Sequence, residues 1–591
     1  MTSVMNSLPP GMVLIIGALL LSLLRGRVQQ VALLVLPILS AIHLLFLPHD
    51  VSMSREAFGL QLTLVHIDRL SLLWGYIFHI AAFVSALYAL HVKDTLQHVS
   101  ALLYVGAAIG AVFAGDLVTL FVYWELTAIT SVFLIWASRN EQAYRAGMRY
   151  LIVQVGSGVL LLAGIVLHYQ STGSIDFLGP FYQSKSVLAE FPWQSPGLGP
   201  VLIFIAFGIK AAFPLLHNWL TDAYPEATPT GTVFLSSFTT KLAIYALARG
   251  FPGVESLIWI GAIMTAFPIF FAVIENDLRR VLTYSLNNQL GFMVVGIGIG
   301  TELALNGTAA HAFAHILYKS LLFMSMGAVL YRTGTAKGSE LGGLYKSMPW
   351  TTGFCIIGAA SISAFPLFSG FVTKSMILTA VAEEHHLVVF LVLLFASAGV
   401  FHHSGIKIPF FAFFAHDSGK RVKEAPLNML LAMGIGSVLC IGIGIFPQPL
   451  YSILPYEVGD YSSYTTTHVV TQLQLLMWSA LAFTVLNLWG IYPPELRSVN
   501  LDTDWFYRRP FMRSSIDNLS PVGRLVSRLG QFRERVEQQL GSLLRRGAGL
   551  ARQTAGSRGI SQKTVSIGGM AVWVAILLIL YLVFYYVYGS P

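Results

Sequence analysis

The sequence predicts an all-α polytopic membrane protein of about sixteen spans, on three observations. Hydrophobic residues fill 55% of its 591 positions and charged residues only 11%, where a soluble domain carries about a quarter. The mean hydropathy is +0.69. The apolar residues also come in blocks of roughly twenty, and at about 1.5 Å per residue such a block crosses a ~30 Å hydrocarbon core. Helices satisfy their own backbone in lipid, and the period-two alternation of an outer-membrane barrel is absent.

In chain order the spans fall at roughly 10–25, 30–48, 67–91, 99–115, 117–137, 149–168, 199–217, 230–250, 256–275, 281–300, 304–331, 351–381, 387–414, 428–447, 470–492 and 566–588. The first block, Gly11 to Leu24, lacks a basic leader and a small-residue cleavage site, so it reads as a retained helix. With the N-terminus outside, the inner loops collect Arg25, Arg27, Lys93, Arg139, Arg145, Arg149, Arg279 and Arg280. Arg332, Lys337, Lys346, Lys420, Arg421 and Lys423 follow on the same side, against Arg55, Lys185 and Arg249 outside. That asymmetry is the positive-inside pattern, and one missed span would scramble it.

Residues 493–565 are polar and basic. Within them Val522, Leu525, Val526, Leu529, Phe532, Val536, Leu540, Leu543 and Leu544 recur at steps of three and four, beside Arg524, Arg528, Arg533 and Arg535. One apolar stripe with basic flanks predicts an amphipathic helix lying along the cytoplasmic face. A generic membrane-surface helix is one reading; a strut resting on neighbouring bundles is the other, favoured because a further span returns the chain to the membrane.

Composition excludes several classes. Cys355 and Cys440 both fall in apolar blocks, so no disulfide framework or Cys-rich metal site is expected. No glycine-rich nucleotide loop is present. The formal charge of +8 sits mainly in loops and in the C-terminal segment, where membrane lipids account for it without nucleic acid.

A charge at mid-bilayer costs about 2.5–3.5 kcal/mol on insertion scales, so each ionisable residue in a span asks for a reason. Those residues are Glu125 in span five, Lys210 in span seven, Lys241 in span eight, Lys374 in span twelve and Lys407 in span thirteen. In span eleven His311, His315 and Lys319 stand at i, i+4 and i+8, on nearly one face. A row of lysines, with one carboxylate to hold charge and histidines to bridge, can pass a proton at modest cost. Pro214 and the Pro366–Gly370 segment should break their helices, and broken helices in lipid are tolerated beside protein or water. Any one lysine could instead be snorkelling or structurally paired; the set is harder to explain that way.

Other residues divide more evenly. His311 and His315 suit two metal ligands, but no third is in view, so no metal or cofactor is expected. His217, near Trp219 and Asp222, serves the path or fixes a loop. His402 and His403 serve the path or point to different neighbours. Asp277 with Arg279 and Arg280 reads as an ion-paired anchor on the positive side.

At these residues the sequence resembles the proton-translocating antiporter family, which comprises antiporter-like subunits of complex I, Mrp antiporters and membrane-bound hydrogenases. The resemblance is carried by Trp124-Glu125, Lys210-Ala-Ala-Phe-Pro-Leu-Leu-His217-Asn-Trp219-Leu-Thr-Asp222, and Asp277-Leu-Arg-Arg-Val-Leu-Thr-Tyr284-Ser285. His311-Ala-Phe-Ala-His315-Ile-Leu-Tyr-Lys319 and Phe365-Pro-Leu-Phe-Ser-Gly370-Phe-Val-Thr-Lys374 complete it in family order. It implies two inverted five-helix repeats, 99–250 and 251–414, with spans seven and twelve broken. An N-terminal segment, 1–98, precedes them, and 415–492, 493–565 and 566–591 follow. The resemblance also implies Glu125 paired with Lys210, Lys241 connecting, His311, His315 and Lys319 bridging, and Lys374 at the second half-channel. Arg279 stands where a lysine is usual, and Thr228-Pro229-Thr230-Gly231 departs from the familiar proline-rich loop. Gly405-Ile-Lys407-Ile-Pro409 looks like the Mrp D-type and hydrogenase members.

The expected function is therefore a proton-translocating subunit, with sodium a second candidate cargo, inside an Mrp-like, complex I-like or hydrogenase-like assembly in a bacterial inner membrane. Rival expectations are a proton-fed partner of an inorganic-carbon uptake complex and a structural anchor with an idle channel. No catalytic chemistry of its own is expected.

Overall fold

The computed structural model describes residues 8–48, 52–57, 59–177, 197–490 and 500–505. The chain divides into two units, Met1–Asp504 and Trp505–Pro591, and the first is described below. The expected amphipathic surface helix and the last span, 566–588, lie outside the described residues.

Each predicted span from 10–25 to 470–492 contains helix, two of them with an interruption. The helices are α1 Met12–Leu21, α2 Gly26–Phe46, α3 Arg69–Ala89, α4 Thr95–Val112, α5 Leu117–Trp136, α6 Glu141–Thr172, α7 Leu198–Ala211, α8 Asn218–Ala223 and α9 Gly231–Gly250. They continue as α10 Glu255–Ile274, α11 Leu278–Ile299, α12 Glu302–Thr333, α13 Pro349–Ile362 and α14 Ser369–Glu383. The last three are α15 Leu387–Phe414, α16 Leu427–Ile445 and α17 Thr466–Leu488. Among the described residues eleven helices are long and apolar enough to cross a membrane. Between α2 and α3 an antiparallel hairpin pairs β1 Ser52–Ala57 with β2 Leu60–His66, an element that span-length reasoning does not reach.

Helix starts are set by short polar residues whose oxygens accept from the first free amides. Asp68, Asp116, Asn140, Asp277 and Thr301 cap α3, α5, α6, α11 and α12 in this way. The Asp277 carboxylate takes the amides of Arg279 (2.8 Å) and Arg280 (3.2 Å). The Arg279 guanidinium instead donates to the carbonyls of Pro225 (2.7 Å) and Ala227 (2.9 Å). Five donors in a fixed fork make arginine suited to tying a loop of free carbonyls.

Burial runs opposite to that of a water-soluble protein. Leu23, Val438 and Leu488 lie exposed on the perimeter, while Lys210, Lys241, Lys319 and Lys407 have no exposed surface. All of α9 is buried, as is α12 from Ala304 to Val329. These two helices form the axis on which the polar groups are strung, and α12 packs against α9, α11, α13, α14 and α16.

Two spans are broken where the prolines predict, and the breaks share one structure. Ala212-Phe-Pro-Leu215 and Ala364-Phe-Pro-Leu367 have the same sequence. In each, the alanine and the leucine take the left-handed region, at φ 63° and 69° in the first and 56° and 74° in the second. The bonds match as well: Phe213 N to Gly208 O (2.9 Å) parallels Phe365 N to Ala360 O (3.0 Å). Ala212 N to Ile209 O and Ala364 N to Ser361 O are both 3.1 Å. This is a Schellman-type ending, which satisfies the last carbonyls of a helix stopped by the following proline. It leaves Lys210 and Lys374 beside the two interruptions.

α15 carries a third irregularity. Phe401–Ile406 and Phe410–Phe414 are π-helical turns, each holding an extra residue that rotates the side chains after it.

Candidate functional site

Lys210 projects from the end of α7 onto α5. Its ammonium donates to the Trp124 carbonyl (2.9 Å) and to Thr127 Oγ1 (2.9 Å), and stands 4.1 Å from the centre of the Trp124 ring. Glu125 follows Trp124 on α5, and among the described residues it forms no direct ion pair with Lys210. Its Oε1 is buried with no hydrogen-bond partner among the described residues. The expected Glu125–Lys210 pair is thus an electrostatic neighbourhood, with Trp124 and Thr127 holding the lysine.

Lys241 lies on α9 and donates to the Ser236 carbonyl one turn back. Ser237 joins Ser320 across the α9–α12 contact at 2.9 Å, next to Lys319. Lys319 donates to Ser285 Oγ (2.8 Å) on α11. Lys241 on α9 and Lys374 on α14 are buried on helices that both pack against α12, which carries Lys319.

His311 and His315 stack with ring centres 6.3 Å apart, as their i, i+4 spacing requires. His311 Nε2 faces Gln289 Oε1 (3.2 Å), and Nδ1 faces Thr373 Oγ1 (3.1 Å). The Thr373 hydroxyl also donates to the Ser369 carbonyl (3.0 Å). Both ring nitrogens can therefore find acceptors, which is what an imidazolium requires. Neither nitrogen of His315 has a hydrogen-bond partner among the described residues. Lys374, next to Thr373, donates to the Ile362 carbonyl (3.3 Å) at the broken end of α13 and lies 4.9 Å from the centre of the Phe292 ring.

Lys407 is not brought into this group. Its ammonium donates to the carbonyls of Ala272 (3.2 Å), Val273 (2.7 Å) and Glu275 (2.7 Å), at the end of α10. Three carbonyls match the three N–H bonds of an ammonium. His402 faces the Phe483 ring of α17, at 5.2 Å, while His403 is fully buried beside Ser404.

His217 also sits apart from the lysines. Its Nε2 meets Asp502 Oδ2 at 3.1 Å, and the same oxygen accepts from the Tyr284 hydroxyl at 2.9 Å. Burial would raise the Asp502 carboxyl, but His217, the Thr503 amide and Tyr284 together hold it down at about 2. Sequence reasoning missed Asp502, which lies 285 positions from His217. It also missed Thr127, Ser285, Gln289, Thr373 and Ser404, hydroxyl or amide groups that carry no charge to flag them.

Buried lysines beside two broken helices define a polytopic membrane protein with ionisable groups in its interior. Residues 114–401 match the NADH:quinone oxidoreductase/Mrp antiporter transmembrane family, and the chain belongs to that family. It is 30% identical over 439 residues to the A subunit of the Na(+)/H(+) antiporter of Alkalihalophilus pseudofirmus, covering 67% of this chain and 54% of the relative. With the D subunit from the same organism it is 31% identical over 373 residues, covering 59% of this chain and 72% of the relative. The chain thus spans about half the length of the first of these relatives. In fold it resembles a chain of the Mrp complex from Dietzia sp. DQ12-45-1b, with TM-score 0.71, 23% identity, and coverage of 100% of this chain and 63% of that one.

Proposed function

We propose that this chain is a cation/proton-translocating subunit of a multisubunit membrane complex. Two inverted five-helix repeats, 99–250 and 251–414, each carry one broken helix within a bundle of sixteen spans. The duplicated Ala-Phe-Pro-Leu breaks support that pairing. The basic loops face the cytoplasm, and the N-terminus lies outside. Protons, with sodium a second candidate cargo, pass from Glu125 and Lys210 to Lys241, then by Lys319, His315 and His311 to Lys374. Lys407 anchors the far end of the second repeat on the carbonyls of α10.

The observation that carries this reading is that Lys210, Lys241, Lys319 and Lys374 are all buried and none forms an ion pair among the described residues. A buried ion pair locks both partners, because removing either charge strands the other. A lysine held by carbonyls, hydroxyls and an aromatic face can be loaded and emptied without breaking an ion pair. Repulsion among Lys241, Lys319 and Lys374 then makes loading of one site favour emptying of the next, a coupling that is necessarily reciprocal. The two Alkalihalophilus relatives, named as antiporter subunits, support the same direction.

The test is proton flux, read by dye quenching, in vesicles holding the intact complex. Lys210→Ala and Glu125→Ala variants that assemble normally should lose translocation; wild-type rates in both would sink the reading.

A further inference from the structure

Hydrogen bonds leave Lys319 in a direction the histidine row does not explain. Ser285 Oγ, which accepts from the Lys319 ammonium at 2.8 Å, also accepts from Ser404 Oγ at 2.7 Å. Ser404 Oγ is in turn 2.9 Å from His403 Nδ1. All four side chains are buried, with Lys319, Ser285, Ser404 and His403 each at 0% exposure. The far nitrogen of His403, Nε2, has no hydrogen-bond partner among the described residues.

Backbone geometry builds this arrangement. His403 and Ser404 lie inside the π-helical turn Phe401–Ile406, and the extra residue of such a turn re-aims the side chains it carries. In the same turn Gly405 lies so close to Ser363 that a Cβ would fall on the Ser363 hydroxyl. The glycine lets the turn press against the broken end of α13. A buried imidazole with one nitrogen in a hydroxyl chain and the other unpaired is costly as pure structure.

We propose that His403 is a proton acceptor for Lys319, reached through Ser285 and Ser404, so that α15 forms a branch off the lysine row. The branch rests on the transport reading given above. Transfer begins when both serine hydroxyls rotate toward His403. The Lys319 ammonium then gives a proton to Ser285 Oγ, the Ser285 hydroxyl proton moves to Ser404 Oγ, and the Ser404 proton moves to His403 Nδ1. Lys319 becomes a neutral amine and His403 an imidazolium; both serines remain neutral, and one proton has moved. The charged and titratable groups acting on His403 are Lys319 on α12, Lys374 on α14, and His402 and Lys407 on its own helix. All four are bases, so an imidazolium at 403 is favoured when Lys319 has just been emptied.

The experiment compares proton flux of the intact complex in vesicles for wild type, Lys319→Ala, His403→Gln, Ser404→Ala and Ser404→Thr, with assembly checked by co-purification. Loss of a positioned proton acceptor should lower flux by at least about tenfold in His403→Gln and Ser404→Ala. Ser404→Thr, which keeps the hydroxyl, should recover most of it. Wild-type flux in both His403→Gln and Ser404→Ala, with Lys319→Ala inactive, overturns the branch and leaves the main path standing. An equal loss in Ser404→Ala and Ser404→Thr also overturns it, because shape and not the hydroxyl would then matter. Full flux in Lys319→Ala instead removes the transport reading itself.

Discussion

Gly158 of α6 vacates the space that the Glu125 carboxylate occupies: a Cβ at 158 would fall on Glu125 Oε1. The carboxylate is therefore placed by an absence of side chain on the neighbouring helix. A Cβ at Gly156, two residues earlier, meets nothing within 4 Å among the described residues. Gly158→Ala should displace Glu125 and lower proton flux by at least about tenfold, the scale on which small misplacements act. Gly156→Ala should leave flux unchanged and gain about 0.5–1 kcal/mol of helix stability. Flux and thermal unfolding of the two variants decide this, and equal flux in both would show that Glu125 position is unimportant.

How much of this was legible in the sequence depends on what marks a residue. Apolar blocks gave the helices, and lysines or histidines in those blocks named the buried groups, because such residues are rare in spans. Their partners were hidden. Lys210 rests on Trp124 O and Thr127, Lys319 on Ser285, and Lys374 on Ile362 O. Carbonyls and hydroxyls of this kind occur in every span, and helical spacing names a face without naming the neighbour across from it. The π-turns of α15 rotate His402 and His403 in a way no α-helical wheel anticipates. The twin Ala-Phe-Pro-Leu segments are different, since comparing the chain with itself reveals them.

The Asp502 latch predicts a pH effect with a definite sign. Its carboxyl sits at about 2 in the folded chain, against about 3.9 when free. A depressed carboxyl contributes stability that is present above about pH 4 and is lost as pH falls toward 2, here about 2 kcal/mol when fully charged. Asp502→Asn should therefore loosen 500–504 at neutral pH, where wild type is fully latched. Thr503→Cys, which reports on the seat next to Asn218, should react with a thiol reagent faster in the Asn background. Identical labelling rates with Asp or Asn at 502 would show that the carboxylate holds nothing.

Arg249, at the end of α9, donates to Asp68 Oδ1 at 2.9 Å, with both side chains buried. Asp68 also caps α3 through the Ser71 amide, so the pair ties two helix ends. The Arg249 guanidinium faces this carboxylate with one nitrogen and the Tyr245 hydroxyl with another (2.8 Å). Arg249→Met strands that carboxylate and should cost about 3–5 kcal/mol. Arg249→Met with Asp68→Asn should recover much of the loss, because no charge is left without its partner. Thermal unfolding of the singles and the double gives the coupling; additive losses would mean the two do not act as a pair.

The two helix breaks should answer alike to the same substitution. Ala212 and Ala364 both hold φ values near +60°, where a Cβ crowds the following carbonyl at a cost of about 1–2 kcal/mol. Glycine adopts that conformation without the clash, though it gives up more chain entropy on folding. The balance favours Ala212→Gly and Ala364→Gly by up to about 1 kcal/mol each. A β-branched valine at either position should destabilise by more than glycine gains. Because the surrounding hydrogen bonds are matched, the two glycine variants should shift the unfolding midpoint in the same direction and by similar amounts. Opposite signs at 212 and 364 would mean that identical local sequence and dihedral angles conceal different loads. The breaks would then have to be explained by their separate neighbours, Lys210 on one side and Lys374 on the other.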